Sequence, residues 1–287
     1  MSDTPHCLWQ GRARLGEGPL WSRELRRLLF VDILGSRLMS HDPATGDTRS
    51  WPLDEACCWL APHADGGFVA GLRTRLVRLH LDADGPRFGE TLARPVAEAP
   101  GHRLNDGKAD PAGRLWFGIM DEREQAASGR LLRLDARGLR RVDAPYTVTN
   151  GPTISAEGRT LYHTDSPART IYAFTIDADG NLADKRVHRR FTEADGYPDG
   201  MTLDAEGGLW VAHWDGGRVT RFLPDGRRDR EIALPASRVT CCTFGGDDLG
   251  TLYITTAAVG CDDQPQAGAL FAVRPGVTGL PACAARP

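Results

Sequence analysis

The sequence lacks the features that mark nucleic-acid-binding and membrane-spanning proteins. Its formal net charge is −3, so it has no surplus of cations to neutralise a phosphate backbone. It contains no apolar run near the roughly 20 residues that a membrane-spanning helix requires. We therefore expect neither a nucleic acid nor a membrane as a partner, and the sequence indicates no protein partner.

Cysteine is scarce, and its spacing does not suit a disulfide framework or a zinc site. The seven cysteines are an odd number; two pairs are adjacent, Cys57–Cys58 and Cys241–Cys242, and no C-x-x-C motif occurs. Residues 1–7 show no basic segment followed by an apolar one, so no signal peptide is predicted. These absences favour a reduced, cytoplasmic protein.

Helical periodicity is nearly absent, whereas turn-forming residues are abundant. The chain has 33 glycines and 19 prolines in 287 residues. Short apolar or alternating segments are separated by Gly-containing turns, the pattern of antiparallel strands. The sequence therefore predicts an all-β fold, and its length and 41% hydrophobic content suit a single domain over 1–287.

One apolar strand recurs six times at intervals of about 40 to 48 residues, the period of a β-propeller blade. The copies are Leu28–Asp32, Phe68–Gly71, Leu115–Gly118, Leu161–Thr164, Leu209–Ala212 and Leu252–Thr255. A second, half-buried strand follows each copy. Six copies predict a six-bladed β-propeller. Residues 7–14 are expected to pair with the last blade, since ring closure removes exposed sheet edges.

Four residues with carboxylate or amide groups occupy the same place in four repeats, about ten or eleven residues before the apolar strand. They are Glu17, Asn105, Asn150 and Asp199. Equivalent positions in a radial repeat converge on the central axis, so we expect these side chains to meet there. The other two blades carry Cys58 and Cys242 at about the same place, which we interpret as small buried thiols.

Glu17, Asn150 and Asp199 offer two carboxylates and an amide oxygen, which are hard ligands for a divalent cation. Three protein ligands leave positions open for water and substrate, as a catalytic site requires. Taken singly, each is also an ordinary turn residue; their shared position favours a metal site. The predicted cofactor is one divalent cation, with Ca, Mg, Mn, Zn and Fe(II) left open.

Arg103 lies two residues before Asn105, so this blade offers a cation beside an amide. Arginine can hold hydroxyl or carbonyl oxygens, and asparagine can both donate and accept hydrogen bonds. The alternative for Arg103 is an ordinary surface ion pair with Asp106 or Asp110. The long loop 120–129 is expected to overhang the same face and is a candidate lid or substrate loop.

Several motifs, in order over nearly the whole chain, carry a family resemblance. They are LGEGP at Leu15–Pro19, RLNDGK at Arg103–Lys108, DPAGRLWFG at Asp110–Gly118, TNGP at Thr149–Pro152 and PDGM at Pro198–Met201. In these motifs the chain resembles the gluconolactonase / senescence marker protein / luciferin-regenerating enzyme family, especially bacterial sugar-acid pathway lactonases. The resemblance implies a six-bladed propeller that holds one divalent cation and hydrolyses sugar lactones.

The resemblance also implies roles for single residues. Its metal ligands correspond to Glu17, Asn150 and Asp199. Its substrate-contacting arginine and asparagine correspond to Arg103 and Asn105. A substrate-contacting carboxylate corresponds to Glu122, with Glu124 as the alternative, because the loop differs in length and sequence.

These observations lead to the hypothesis of a metal-dependent sugar lactonase, which opens an aldonolactone such as glucono-, xylono- or arabinonolactone to the free acid. The cation would act as a Lewis acid, and Asp199 as the general base. No Gly-x-Ser-x-Gly motif supports a serine esterase. The alternatives are a hydrolase of another ester, such as a non-sugar lactone or an organophosphate, and a non-catalytic calcium-binding propeller.

Overall fold

The computed structural model describes residues 4–97 and 99–287. This part of the chain is nearly all β-strand, with one short 3-10 helix at Glu193–Asp195. Its strands form six four-stranded antiparallel sheets, so the fold is the six-bladed β-propeller that the repeat predicted. No helix among the described residues is long and apolar enough to cross a membrane.

The chain divides into two compact units with three blades each. The first unit comprises 4–56 and Phe191–Pro281, and the second comprises 57–97, 99–190 and Ala282–Pro287. A single domain over 1–287 stays a prediction of the sequence.

The first unit contains three sheets, each running from an innermost strand outward. One is β2 Gly16–Ser22, β3 Arg27–Asp32, β4 Arg37–His41 and β5 Thr48–Pro52; the next is β18 Tyr197–Leu203, β19 Leu209–Trp214, β20 Arg218–Phe222 and β21 Arg228–Ala233; the third is β22 Val239–Gly245, β23 Thr251–Thr256, β24 Leu270–Val273 and β1 His6–Trp9. In the third sheet, His6 lies opposite Ala272. The expected pairing of the N-terminal segment with the last blade is therefore confirmed.

The second unit contains the other three sheets, each formed by four strands in chain order. They are β6 Cys57–Pro62, β7 Phe68–Leu72, β8 Leu76–Asp82 and β9 Gly85–Ala93; β10 His102–Ala109, β11 Leu115–Asp121, β12 Gly129–Asp135 and β13 Gly138–Tyr146; and β14 Thr149–Ile154, β15 Thr160–Asp165, β16 Thr170–Ile176 and β17 Leu182–Arg190.

The six predicted apolar strands are the second strands of the six blades, and the strands predicted to follow them are the third. The second strands are buried along nearly their whole length because both faces pack in the core. Aromatic side chains contact each other between blades within a unit: the ring centroids of Trp59 and Phe117 are 6.0 Å apart, and those of Trp210 and Phe244 are 5.8 Å apart.

In two blades, a buried aspartate accepts several hydrogen bonds and so fixes the turn between the first and second strands. Asp204 accepts hydrogen bonds from the indole of Trp210 at 2.7 Å and from Arg221 Nε at 2.7 Å. Asp110 accepts the indole of Trp116 at 2.8 Å and Arg114 Nε at 2.6 Å. The repeated Asp-x-x-Gly-x-Leu-Trp spacing thus places a carboxylate in the core together with the hydrogen-bond donors that it needs there.

Candidate active site

The innermost strand of every blade contains a β-bulge near the predicted site position. Its pairing with the second strand shifts register between Glu17 and Leu20, Cys57 and Trp59, Leu104 and Gly107, Asn150 and Thr153, Pro198 and Met201, and Val239 and Cys241. In each case one extra residue is inserted in the innermost strand. Bulges re-aim side chains and are frequent beside active sites, and this repeated bulge is not visible in the sequence.

The strand register gives one equivalent residue per blade. These residues are Glu17, Cys58, Asn105, Asn150, Asp199 and Thr240. Five match the sequence prediction. Cys242 does not hold the sixth position: it lies opposite Ile254 beyond the bulge and packs in the core. Counting back failed because Thr240 lies twelve residues before Leu252, whereas its equivalents lie ten or eleven residues before the apolar strand in the other blades.

In the second unit, hydrogen bonds join three of the predicted site residues. Arg103 Nη1 donates to Asn105 Oδ1 at 2.6 Å. Asn105 Nδ2 in turn donates to Asn150 Oδ1 at 2.9 Å and to the carbonyl oxygen of Thr149 at 2.7 Å. Both asparagines are buried. Arg103, Asn105 and Asn150, up to 47 residues apart in the sequence, thus form one series of hydrogen-bonded side chains on two innermost strands.

The amide of Asn150 fits a metal ligand. Its Nδ2 donates to Ser166 Oγ at 2.9 Å, and its Oδ1 accepts from Asn105, so the orientation of the amide is defined by both neighbours. A carbonyl oxygen has two lone pairs, and the hydrogen bond from Asn105 uses one. Within 4–97 and 99–287, no three His, Cys, Asp or Glu side chains are grouped as a metal site.

Glu17 and Asp199 are buried carboxylates of the first unit, on β2 and β18. Glu17 Oε2 accepts the amide of Gly18 at 3.0 Å. Gly200, directly after Asp199, lies so close to Cys241 that an added Cβ would be 2.4 Å from Sγ. Close packing against β22 therefore requires glycine at the position after Asp199. Burying carboxylates costs free energy unless their charge is compensated. One divalent cation would compensate the charge of two carboxylates.

Glu122 follows β11 and interacts with an arginine that the sequence reasoning missed. Its Oε1 and Oε2 accept hydrogen bonds from Arg73 Nε and Nη2, each at 2.6 Å. The hydrogen bond from Arg73, with a smaller contribution from the charge of Arg103, holds the pKa of Glu122 below its usual range. Arg73 directly follows β7, as Glu122 directly follows β11, so its place after a second strand is the signal that could have found it.

The loop between β11 and β12 is a compact turn. Asp121 accepts hydrogen bonds from the amides of Arg123, Gln125 and Ala126. His102 Nε2 and Ser128 Oγ are 2.8 Å apart. Thus Glu122 ties one end of the loop to Arg73, and Ser128 ties the other to β10.

Glu124, the alternative to Glu122, lies in the middle of this loop. It is exposed to solvent, and its backbone is left-handed, with φ of 57°. Glu122 is the carboxylate that Arg73 contacts and whose pKa the charge of Arg103 also lowers.

Asp106, beside Asn105, is a buried carboxyl group that the sequence reasoning treated only as a partner for Arg103. Its Oδ1 accepts the amide of Gly107 at 2.7 Å. Burial raises the pKa of Asp106 to about 6, against the opposing effects of Lys108 and of the amides of Gly107 and Gly151. Asp106 thereby links the bulge of β10 to the bulge that holds Asn150.

Known proteins resemble this chain over nearly its full length. A protein-family model described as SMP-30/Gluconolactonase/LRE-like region matches residues 15–258. The chain is 38% identical to a 6-deoxy-6-sulfogluconolactonase of Pseudomonas putida over 97% of each chain, and 35% identical to pentonolactonase XacC of Haloferax volcanii over 93% of each. A solved calcium-binding protein, regucalcin from Agrobacterium tumefaciens, is 26% identical with a TM-score of 0.91, covering 98% of this chain and 97% of that one.

Proposed function

Because the chain belongs to the SMP-30/gluconolactonase/LRE-like family, we propose that it is an enzyme that hydrolyses a sugar lactone to the free sugar acid. Relatives at 38% and 35% identity are named as sugar lactonases, which supports a hydrolase. The sulfogluconolactonase and the pentonolactonase differ in sugar, so hexono- and pentonolactones are both candidate substrates.

The observation that carries this proposal is the hydrogen-bonded chain from half-buried Arg103 through Asn105 to Asn150, both of which are buried. A sugar lactone presents several hydroxyl groups and a carbonyl oxygen, and its binding requires donors and acceptors held in place. An arginine and an amide fixed by each other supply both at little entropic cost.

We propose that Glu17, Asn150 and Asp199 hold one divalent cation, a set supported by their equivalent bulge positions and by the family resemblance. When bound, the cation would polarise the lactone carbonyl as a Lewis acid. The relative named as a calcium-binding protein makes Ca²⁺ the first ion to test, alongside Mg²⁺, Mn²⁺, Zn²⁺ and Fe²⁺.

In the proposed reaction, water adds to the carbonyl carbon and the bond from that carbon to the ring oxygen breaks. Asp199 accepts the proton of the attacking water and returns it to the ring oxygen as that oxygen leaves. Arg103 and Asn105 orient the sugar hydroxyls, and Glu122 accepts a hydrogen bond from one of them. The cytoplasm remains the expected compartment.

Variants of the proposed ligands test this assignment through two readouts, cation affinity by calorimetry and acid release from a lactone. Glu17→Gln and Asp199→Asn keep the side-chain size but remove one charge each. We expect each to weaken cation binding at least tenfold, and Asp199→Asn also to abolish turnover. Asp225→Asn, at an exposed carboxylate paired with Arg227, is the matched control. Unchanged cation affinity in both variants would contradict the ligand set.

A non-catalytic calcium-binding propeller is the second candidate, favoured by the name of the relative from Agrobacterium tumefaciens. It predicts calcium binding without any acceleration of lactone hydrolysis. The arrangement of Arg103 and Asn105 favours the enzyme, because calcium binding alone does not require them.

A further inference from the structure

Two arginines act on the carboxylate of Glu122, and Arg73 contacts it directly. Arg73 donates two hydrogen bonds to its carboxylate, and the charge of Arg103 also lowers its pKa. Asp121, the preceding residue, accepts hydrogen bonds from the amides of the loop. Arg73 is therefore the guanidinium that contacts this carboxylate, and Arg103, hydrogen-bonded to Asn105, acts on it through its charge.

The backbone places Arg73 beside the proposed substrate-binding residues. The amide of Leu104, between Arg103 and Asn105, donates to the carbonyl oxygen of Arg73 at 2.9 Å, and the amide of Glu122 donates to the carbonyl oxygen of Gly101 at 3.0 Å. Three segments, after β7, along β10 and after β11, are thus held together by main-chain hydrogen bonds. A main-chain hydrogen bond thus fixes the backbone of Arg73 in addition to its side-chain contacts.

The side chain of Arg73 faces solvent while its orientation is fixed. It is 55% exposed, whereas that of Glu122 is 27% exposed. A bidentate pair defines the plane of the guanidinium group, and a preorganised group loses less entropy when a ligand binds. An exposed, oriented guanidinium suits a planar or tetrahedral oxyanion, which it can contact through two N–H groups.

We propose that Arg73, together with Arg103, makes the enzyme selective for sugar lactones that carry an anionic substituent, such as a sulfonate, carboxylate or phosphate, away from the reacting ester. This inference rests on the proposed lactonase function and names its substrate class. Arg73 contacts the anion, Arg103 adds to the positive field, and Glu122 keeps Arg73 oriented.

The test compares two lactones that differ only in charge, D-glucono-1,5-lactone and its 6-deoxy-6-sulfo counterpart. For the wild type we expect the larger kcat/KM with the sulfonated lactone, and a preference that falls as salt is added. Arg73→Gln should lower the ratio of the two kcat/KM values about tenfold or more, the loss expected for one charge-assisted contact. Arg73→Lys, which keeps the charge, should retain part of the ratio.

Arg87→Gln is the matched control, because Arg87 lies in the same blade and forms an ion pair of 2.6 Å with Asp82 on the outer strands. It should leave the ratio unchanged. If Arg73→Gln lowers kcat/KM equally for both lactones, Arg73 only holds the loop and the inference is overturned.

The failure of this inference is distinguishable from the failure of the proposed function. Hydrolysis of both lactones by the wild type, without preference and without an effect of Arg73→Gln on the ratio, overturns the anion selectivity alone. Absence of hydrolysis of either lactone with every divalent ion, in folded protein, overturns both.

Discussion

At the residue scale, the site depends on which atom of each amide faces which neighbour. Asn105 donates to Asn150 Oδ1 and to the carbonyl oxygen of Thr149 through the same nitrogen. This arrangement presents the oxygen of Asn150 in a defined direction. A residue that offers only acceptors at position 105 could not maintain it.

Asn105→Asp tests this dependence, because a carboxylate in place of the donor would repel the oxygen of Asn150. We expect a loss of about 1–3 kcal/mol in the free energy of unfolding, the usual penalty for leaving a buried polar group unsatisfied, and a lower kcat/KM for lactones. Denaturant unfolding and the acid-release assay measure the two effects. Asn181→Asp is the control: it also removes a donor, to Asp177 Oδ2, but in an exposed turn where solvent screens the charges, so it should cost less than about 1 kcal/mol and leave kcat/KM unchanged; a silent Asn105→Asp would disprove the donor role.

His213 gives the protein a pH-dependent stability. Burial, with a smaller contribution from Arg218, lowers the pKa of His213 to about 4, below its usual value near 6.5 in the unfolded chain. Because the folded state favours the neutral ring, this contribution is fully present above about pH 6.5 and is lost as the pH falls towards 4. The loss at low pH is of the order of 3 kcal/mol.

Thermal unfolding of the wild type and of His213→Gln between pH 7.5 and pH 4 checks this expectation. The wild type should lose stability more steeply than the variant over that range. His80→Gln, which replaces an exposed histidine, should follow the wild type. Parallel pH profiles for His213→Gln and the wild type would show that His213 is not the responsible group.

At the scale of secondary-structure elements, buried aspartate carboxylates stabilise turns between strands more than surface ion pairs do. Asp204 is fully buried and accepts hydrogen bonds from Trp210, Arg221 and two backbone amides. It also contributes most to raising the pKa of Arg221 above its usual value. Removing the carboxylate would leave a buried guanidinium and an indole with fewer partners.

Asp204→Ala should therefore lower the free energy of unfolding by about 3–5 kcal/mol, as when one partner of a buried ion pair is removed. Asp225→Ala, in the same blade, breaks an exposed pair with Arg227 at a similar distance of 2.7 Å and should cost less than about 1 kcal/mol. Urea unfolding of both variants measures the difference, and equal losses in the free energy of unfolding would show that Asp204 does not stabilise its turn more than the exposed pair does.

Predictability from the sequence also differs between elements. The second strands were found because apolar runs such as Leu115–Gly118 are buried on both faces. The outermost strands, such as Leu182–Arg190 and Arg228–Ala233, were missed because they are mostly exposed and rich in charge, so no apolar periodicity marks them.

At the scale of the whole molecule, the chain repeat predicted the fold and most of the site positions, but not the contacts of the site. Spacing alone identified Glu17, Asn105, Asn150 and Asp199. It failed for the sixth blade, where Thr240 lies one or two residues farther from the apolar strand than its equivalents do, so the count reached Cys242 instead. It also missed Arg73, because the pairing of Arg73 with Glu122 depends on loops whose course no periodic pattern specifies.

Pairing of β1 with β24 is the contribution of the N-terminal segment to the sixth blade. A chain that begins at Gln10 lacks β1 and leaves β24 as an unpaired edge. We expect a lower melting temperature and association of the truncated chain, because an exposed strand edge pairs with other chains. Calorimetry and light scattering after size-exclusion chromatography measure both; a truncated chain that is equally stable and monomeric would show that β1 is dispensable.

The decisive assay for the proposed lactonase is acid release from a panel of pentono- and hexonolactones by metal-stripped protein, with and without each divalent ion. Spontaneous hydrolysis of each lactone is the baseline. We expect an added ion to restore acceleration above this baseline for at least one sugar lactone. Folded protein that binds a divalent ion and yet accelerates the hydrolysis of no lactone would refute the lactonase.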